Sequence, residues 1–311
     1  MGFGGFHNQL NLAQLTTARG LLQDFLRTNA NGWMTIRHLN SGRQKLLSQR
    51  AAIDKSLLRT RQQVAGSKPT DMPANRKTWP SIDEMRAAAE KGDPEAQCYL
   101  GVAYQTGQGV QQDYQEAVRW FRRSADQNDP VAQCYLGFCF QAGHGVPQEY
   151  GEAAKWFREA AEQGDPAAQF NLGVLYETGQ GVPQNFAEAV KWYHVAAEQG
   201  EPQAQFNLGV FYEQGQVLPQ DFTAAVNWYR RAAEQEVGPA QCNLGLCYQT
   251  GRGVEQDSRE AVRWFIRAAR QGDKTAQHNL GVHYASLEAV QQGQAEESAA
   301  AEESTRESQA P

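Results

Sequence analysis

The residues of this chain whose types could do chemistry are six histidines, five cysteines, a set of paired glycines and a column of amides. The histidines are His7, His38, His144, His194, His278 and His283. None stands in an HExxH pattern. His278 and His283 are five apart on one expected helix, so they face different ways and make a poor ligand pair. Cys98, Cys134, Cys139, Cys242 and Cys247 are odd in number and contain no CxxC. That fits neither a disulfide framework nor a zinc site. Cys134/Cys139 and Cys242/Cys247 point apart on single helices, which argues against an intra-helix bridge. GxGV loops occur at Gly107/Gly109, Gly143/Gly145, Gly179/Gly181 and Gly251/Gly253. They follow the C-terminal end of a helix, where the dipole disfavours anions, and no Lys-Ser/Thr comes after them. They read as turns rather than phosphate cradles. No catalytic residue, cofactor or metal is assigned, and the chain reads as a non-enzyme.

What remains is hydrogen bonding. Tyr99, Tyr135, Asn171, Asn207, Asn243 and Asn279 recur at one interval of 36 residues. An asparagine offers both donor and acceptor, which suits the backbone of an extended peptide. The two tyrosines at one end suit its apolar side chains. The competing reading is that these amides bond only within their own repeat, and both readings stand. A parallel column, Cys98, Cys134, Phe170, Phe206, Cys242 and His278, is expected to pack between neighbouring helices.

The elements that must position these columns follow from the same interval. Gly101, Gly137, Gly173, Gly209, Gly245 and Gly281 keep it, as do Trp120, Trp156, Trp192, Trp228 and Trp264, and the glutamines from Gln97 to Gln277. One unit reads GDPAAQFNLGVLYETGQGVPQNFAEAVKWYHVAAEQ, from Gly164 to Gln199. Asp165 before Pro166 is a helix start. The first helix, A, runs to about Glu177, where Gly179 and Gly181 break it. Asn185 with Glu188 suggests a capping box for a second helix, B, ending at Gly200. Ala168, Leu172 and Tyr176 form the stripe that A buries, and Gly173 permits close approach of another helix. Trp192 supplies large apolar area. A single pair cannot bury enough surface, so neighbouring units must stack. These glycines and tryptophans are a structural signature.

The A-x-F-N-L-G-x-x-Y-x-x-G-x-G-V-P-Q core at 168–184 and the A-V-K-W-Y-x-x-A-A-E-Q-G run at 189–200 resemble the Sel-one-like repeat, a relative of the tetratricopeptide repeat. The resemblance implies an all-α fold, a right-handed α/α superhelical solenoid of 36-residue helix-turn-helix repeats with a concave groove. It also implies a scaffold or adaptor that binds another protein through an extended or helical segment. Two departures stand out: Val217 replaces the second loop glycine, and Pro239 is shifted by one residue. Local bends are expected at 215–219 and 236–239.

Charge divides the chain. Residues 1–70 carry ten Lys/Arg against two Asp, a net of +8, and 286–311 carry six Glu against one Arg. The repeats between them are acidic and should repel nucleic acid. The expected organisation is a basic helical extension at 1–65, a linker at 66–80, the solenoid at 81–286 with five full repeats and partial ends, and a disordered acidic tail at 287–311. Ser81 and Glu84 would cap a short helix over 82–91. The basic helix at 43–65 leaves a membrane-surface tether open as an alternative function. A structural subunit of a larger assembly is a second. No secretory signal is visible, so the expected compartment is the cytoplasm, with an organelle interior such as the mitochondrion as alternative.

Overall fold

A computed structural model describes residues 79–285. The expectations for the basic helix at 43–65, the rest of the extension and linker before 79, and the tail at 287–311 lie outside the described residues.

Every regular element among the described residues is helical. In chain order they are α1 Ile82–Glu90, α2 Pro94–Thr106, α3 Tyr114–Ala125, α4 Pro130–Ala142, α5 Tyr150–Glu162, α6 Pro166–Thr178, α7 Phe186–Glu198, α8 Pro202–Gln214, α9 Phe222–Glu234, α10 Gly238–Thr250 and α11 Ser258–Arg270. Residues 274–285 are helical as well. The chain divides into two compact units at Gln235/Glu236. In the first, the even-numbered A helices from α2 to α8 each pair with the B helix that follows. Each B helix from α3 to α7 also packs on the next A helix, and α1 packs on α2 as a B helix would. The second unit holds the α10–α11 pair.

The local signals explain the helix ends. Asp165 caps α6 by accepting from the Ala168 amide at 2.7 Å, with Pro166 in the first turn. Asn185 caps α7, accepting from the amides of Ala187 and Glu188, each at 3.1 Å. Glu188 does not close the expected capping box. The Asn185 amide already donates to the Tyr176 carbonyl at 2.8 Å, so Glu188 accepts instead from Lys191 one turn on. Ser81 caps α1, accepting from the Glu84 amide. Gly179 ends α6 with φ 74°, a left-handed conformation that other residues adopt at a cost.

The glycine column is a seam. A Cβ on Gly173 would lie 2.7 Å from Tyr193 Cε1, and the same clash recurs between Gly101 and Phe121, Gly137 and Phe157, Gly209 and Tyr229, and Gly245 and Phe265. Those aromatics are the fully buried anchors of the pairs. The tryptophans one position earlier have a lesser part than their size suggests. Trp120 and Trp228 are buried, but Trp156, Trp192 and Trp264 are only partly covered. Helix geometry explains this: adjacent positions differ by about 100° around the axis, and the position facing the glycine takes the centre of the interface. Arg123, Arg231 and Arg267 lie over the rings of Trp120, Trp228 and Trp264, at 4.6, 4.6 and 4.8 Å.

Both expected departures are local. Gly109, Gly145 and Gly181 all have positive φ, and a Cβ at Gly145 or Gly181 would fall 2.2–2.3 Å from backbone atoms of Tyr114 or Tyr150. Val217 occupies that place without a positive φ, and it stays exposed, as does Phe186. Glu236 takes the left-handed position that glycine holds at 92, 164, 200 and 272, with φ 62°.

Candidate functional site

Two columns of side-chain amides run through the A helices, two residues apart. The first begins at Gln97. Its members Gln97, Gln133, Gln169, Gln205 and Gln241 are buried. In the first unit, Gln97, Gln169 and Gln205 donate to the carbonyls of Ala89, Ala161 and Ala197 at 2.9–3.1 Å. Those carbonyls lie in the last turn of the preceding B helix, where each also accepts from the amide of the glycine three residues on and the glutamine supplies a second donor. The carboxamide oxygen of each glutamine then accepts from a glutamine thirty residues later. Gln127, Gln163 and Gln199 donate at 2.7 Å and Gln235 at 2.9 Å. In the second unit Gln271 donates to Gln241 at 3.0 Å. The repeats beginning at Pro94, Pro166 and Pro202 are thus each tied backward and forward by one buried side chain. Reasoning from sequence saw the first glutamine column without a role and missed the second, although Gln127, Gln163, Gln199, Gln235 and Gln271 keep the 36-residue interval.

The second column is the candidate binding column, and it is bonded differently. Tyr99 is half-buried and Tyr135 buried; Asn171, Asn207 and Asn243 are 0, 5 and 9% exposed, and Asn279 is half-buried. Asn171 Nδ2 donates to the Ala167 carbonyl at 2.8 Å, but its Oδ1 is buried without a partner. Asn243 Nδ2 and Asn279 Nδ2 are likewise buried and unmatched. The column therefore lies deeper than an open groove lining would. The neighbouring column lies where packing requires it for five of its members: Cys98, Cys134, Phe170, Phe206 and Cys242 are buried, whereas His278 is exposed. All five cysteines are buried thiols.

The A-helix N-termini carry the site's charge. Asp93, Asp129, Asp165 and Glu201 stand one per repeat at the N-cap positions of α2, α4, α6 and α8. Burial pushes the Glu201 carboxyl up to about 7; an amide bond from Gln203 opposes this and the nearby Asp165 carboxylate adds to it. Burial, then the Asp165 charge, raises the Cys134 thiol well above its ordinary value, so it stays protonated and inert. Among the described residues no group of three or more His, Cys, Asp or Glu is placed to hold a metal ion. The surface depressions are open; one, of about 450 Å³, includes Arg86, Tyr104 and Asp113. Asp113 there is occupied as a helix cap. On the B helices, Arg119, Arg122 and Arg123 are exposed, and Arg119 pairs with Glu116, as a solvated outer face requires.

Comparison with known proteins decides the family. The description of the Sel1 repeat matches residues 94–129, 130–165, 166–201, 202–237 and 238–273. The chain belongs to the Sel1 repeat family. Its first four repeats begin at the A-helix prolines and the fifth at Gly238, one residue before Pro239, and each includes the following N-cap, so the matched units coincide with the helix pairs. Two solved Sel1-type structures resemble it. The first is c5321, a protective antigen present in uropathogenic Escherichia coli strains and displaying an SLR fold. It is 38% identical, with a TM-score of 0.61, over 65% of this chain and 43% of that one. The second is a Sel1 repeat protein from Oxalobacter formigenes. It is 36% identical, with a TM-score of 0.61, over 64% of this chain and 57% of that one. The match thus spans about half the length of these structures. Nothing among the curated proteins matches the chain. Sel1 repeats generally mediate protein–protein interaction and are typically non-catalytic scaffolds.

Proposed function

We propose that this protein is a non-catalytic scaffold that binds a segment of another protein along the A-helix face of its first unit. Tyr99, Tyr135, Asn171 and Asn207 are the residues assigned to that contact, and Asn243 and Asn279 hold the same register in the second unit. The observation that supports this reading is the unmet hydrogen-bonding capacity at one register: Asn171 Oδ1, Asn243 Nδ2 and Asn279 Nδ2. A buried polar atom left unpaired costs roughly 1–3 kcal/mol, and a bound peptide backbone would remove that cost. The glutamines two residues earlier show that these helices can satisfy a buried amide when it serves the fold alone. The buried thiols suit a reducing compartment, and the cytoplasm is the proposed location.

Photo-crosslinkers placed at Tyr99 and Asn207, with Arg119 on the outer face as control, test the proposal in the cell of origin. One defined protein captured from the first two positions and not from Arg119 is the expected result. Capture from Arg119 alone would move binding to the B helices, and no capture at any position would favour a structural subunit held by other surfaces.

A further inference from the structure

A depression of about 290 Å³ lies between α3 and the loop that follows α4, lined by Gln115, Val118, Arg119, Arg122, Gly145 and Val146. Its three polar side chains all come from α3. Positions 115, 119 and 122 are four and three apart, so they stand on one face of that helix. Two are guanidiniums and one is a carboxamide, and each offers N–H donors. No carboxylate is among the lining residues.

The next repeat shows how these donors differ from their counterparts. There Arg158, the equivalent of Arg122, donates to the Tyr176 hydroxyl at 2.9 Å. In the place of Tyr176, α4 carries Phe140, which has no hydroxyl to offer. The Arg122 guanidinium lies over that ring, 5.9 Å from its centre, and among the described residues it has no ion pair and no side-chain hydrogen bond. The ring holds the cation by its face and leaves the N–H fork for another group. Arg119 pairs with Glu116 one turn back, an exposed pair of small worth that an incoming anion can share. The counterparts of Gln115 and Arg119 are Gly151, with no side chain, and Lys155, paired with Glu152.

We propose that this depression binds a phosphate group, with Arg122 as its principal donor and Arg119 and Gln115 completing the site. A guanidinium fork matches two oxygens of an oxyanion at once. Two such forks and a carboxamide suit a phosphate, with its near-double charge and three free oxygens, better than a carboxylate. The free ion and the phosphate ester of a small molecule present this same chemistry. The site stands apart from the A-helix face, so it holds or fails whatever is captured at Tyr99 and Asn207.

Titration of the full-length protein with inorganic phosphate at fixed ionic strength, chloride replacing it in the reference, tests this through the amide resonances of Gly145 and Val146. The expected result is a saturable shift with a Kd of about 1 mM or below. Gly181 and Val182, the same positions in the next repeat, should scarcely move. R122Q should weaken binding at least tenfold while keeping the helical circular dichroism. F140Y gives Arg122 the hydroxyl that Tyr176 gives Arg158 and should weaken binding severalfold, which keeps the test open if R122Q disturbs α3. Glycerol 3-phosphate separates the sources: binding at least as tight as that of the free ion assigns the site to an ester, and weaker binding assigns it to phosphate itself. The proposal is overturned by a shift that chloride reproduces, which would be screening alone, by equal movement at Gly181 and Val182, or by unchanged binding in both variants.

Discussion

The Gln169 column and the Asn171 column occupy the same A helices, keep the same interval and are buried to similar depth, yet one is closed by bonds within the repeats and the other is not. Gln169 reaches a carbonyl of the preceding B helix and receives Gln199 from the following one. Asn171 uses its donor on its own helix and leaves its acceptor buried and unmatched. Periodicity marks a position as constrained; only the fate of its polar atoms tells whether the constraint comes from the fold or from something that binds it.

The scale for that comparison is set by the seam that holds both columns in place. Tyr193→Ala should cost about 3–5 kcal/mol in chemical denaturation, because it empties the space against Gly173. Trp192→Ala should cost clearly less, since that ring is only half-covered. Equal losses would mean that the tryptophans anchor the core after all.

Glu201 is a buried carboxyl held by one backbone amide, that of Gln203, and among the described residues no cation pairs with it. Its folded carboxyl titrates at about 7, against an ordinary value of 4.5. Between those values the folded chain holds a proton that the unfolded chain has released. The associated stability is present below about 4.5 and is lost as pH rises through 7. Glu201→Gln should therefore be more stable than the parent at pH 8, by up to about 3 kcal/mol, and nearly equal to it at pH 4. A difference that is the same at both pH values would refute the assignment.

Smaller effects discriminate the columns directly. Gln169→Met should lose roughly 1–3 kcal/mol, because it removes the bond to the Ala161 carbonyl and leaves the Gln199 amide without its buried acceptor. Asn171→Leu removes an already unsatisfied atom and should change stability by less than about 1 kcal/mol, in either direction, while weakening partner capture. A loss at Asn171 equal to that at Gln169 would return the asparagines to a purely internal role.

Much of this was legible in the sequence, for a physical reason. Helix starts and stops rest on short-range chemistry, so Asp165, Asn185, Ser81 and the left-handed Gly179 could be read from their neighbours alone. The 36-residue interval then supplied the stacking. Less legible was which of two adjacent aromatics faces the glycine seam, because that depends on helix phase to within one residue. Trp192 was expected to carry apolar area that Tyr193 carries in fact. The glutamine ties were hidden for a different reason: each joins side chains thirty residues apart, and the second partner sits at a helix end where glutamine looks like ordinary surface. The depth of Asn171 depends on how closely adjacent A helices approach, which no local pattern reports.

The glutamine tie also sets a rule of length. In the first unit Gln97, Gln169 and Gln205 each reach eight residues back and are met from thirty residues ahead, and these two offsets are fixed by the 36-residue unit. A duplication or loss of one whole unit, anywhere in the array, restores both offsets at the new junction. An insertion of two or three residues within a helix breaks whichever offset it falls inside and leaves an amide stranded in the interior. Such an array can grow or shrink over generations in whole steps, with a partner-binding face that lengthens or shortens by one position each time.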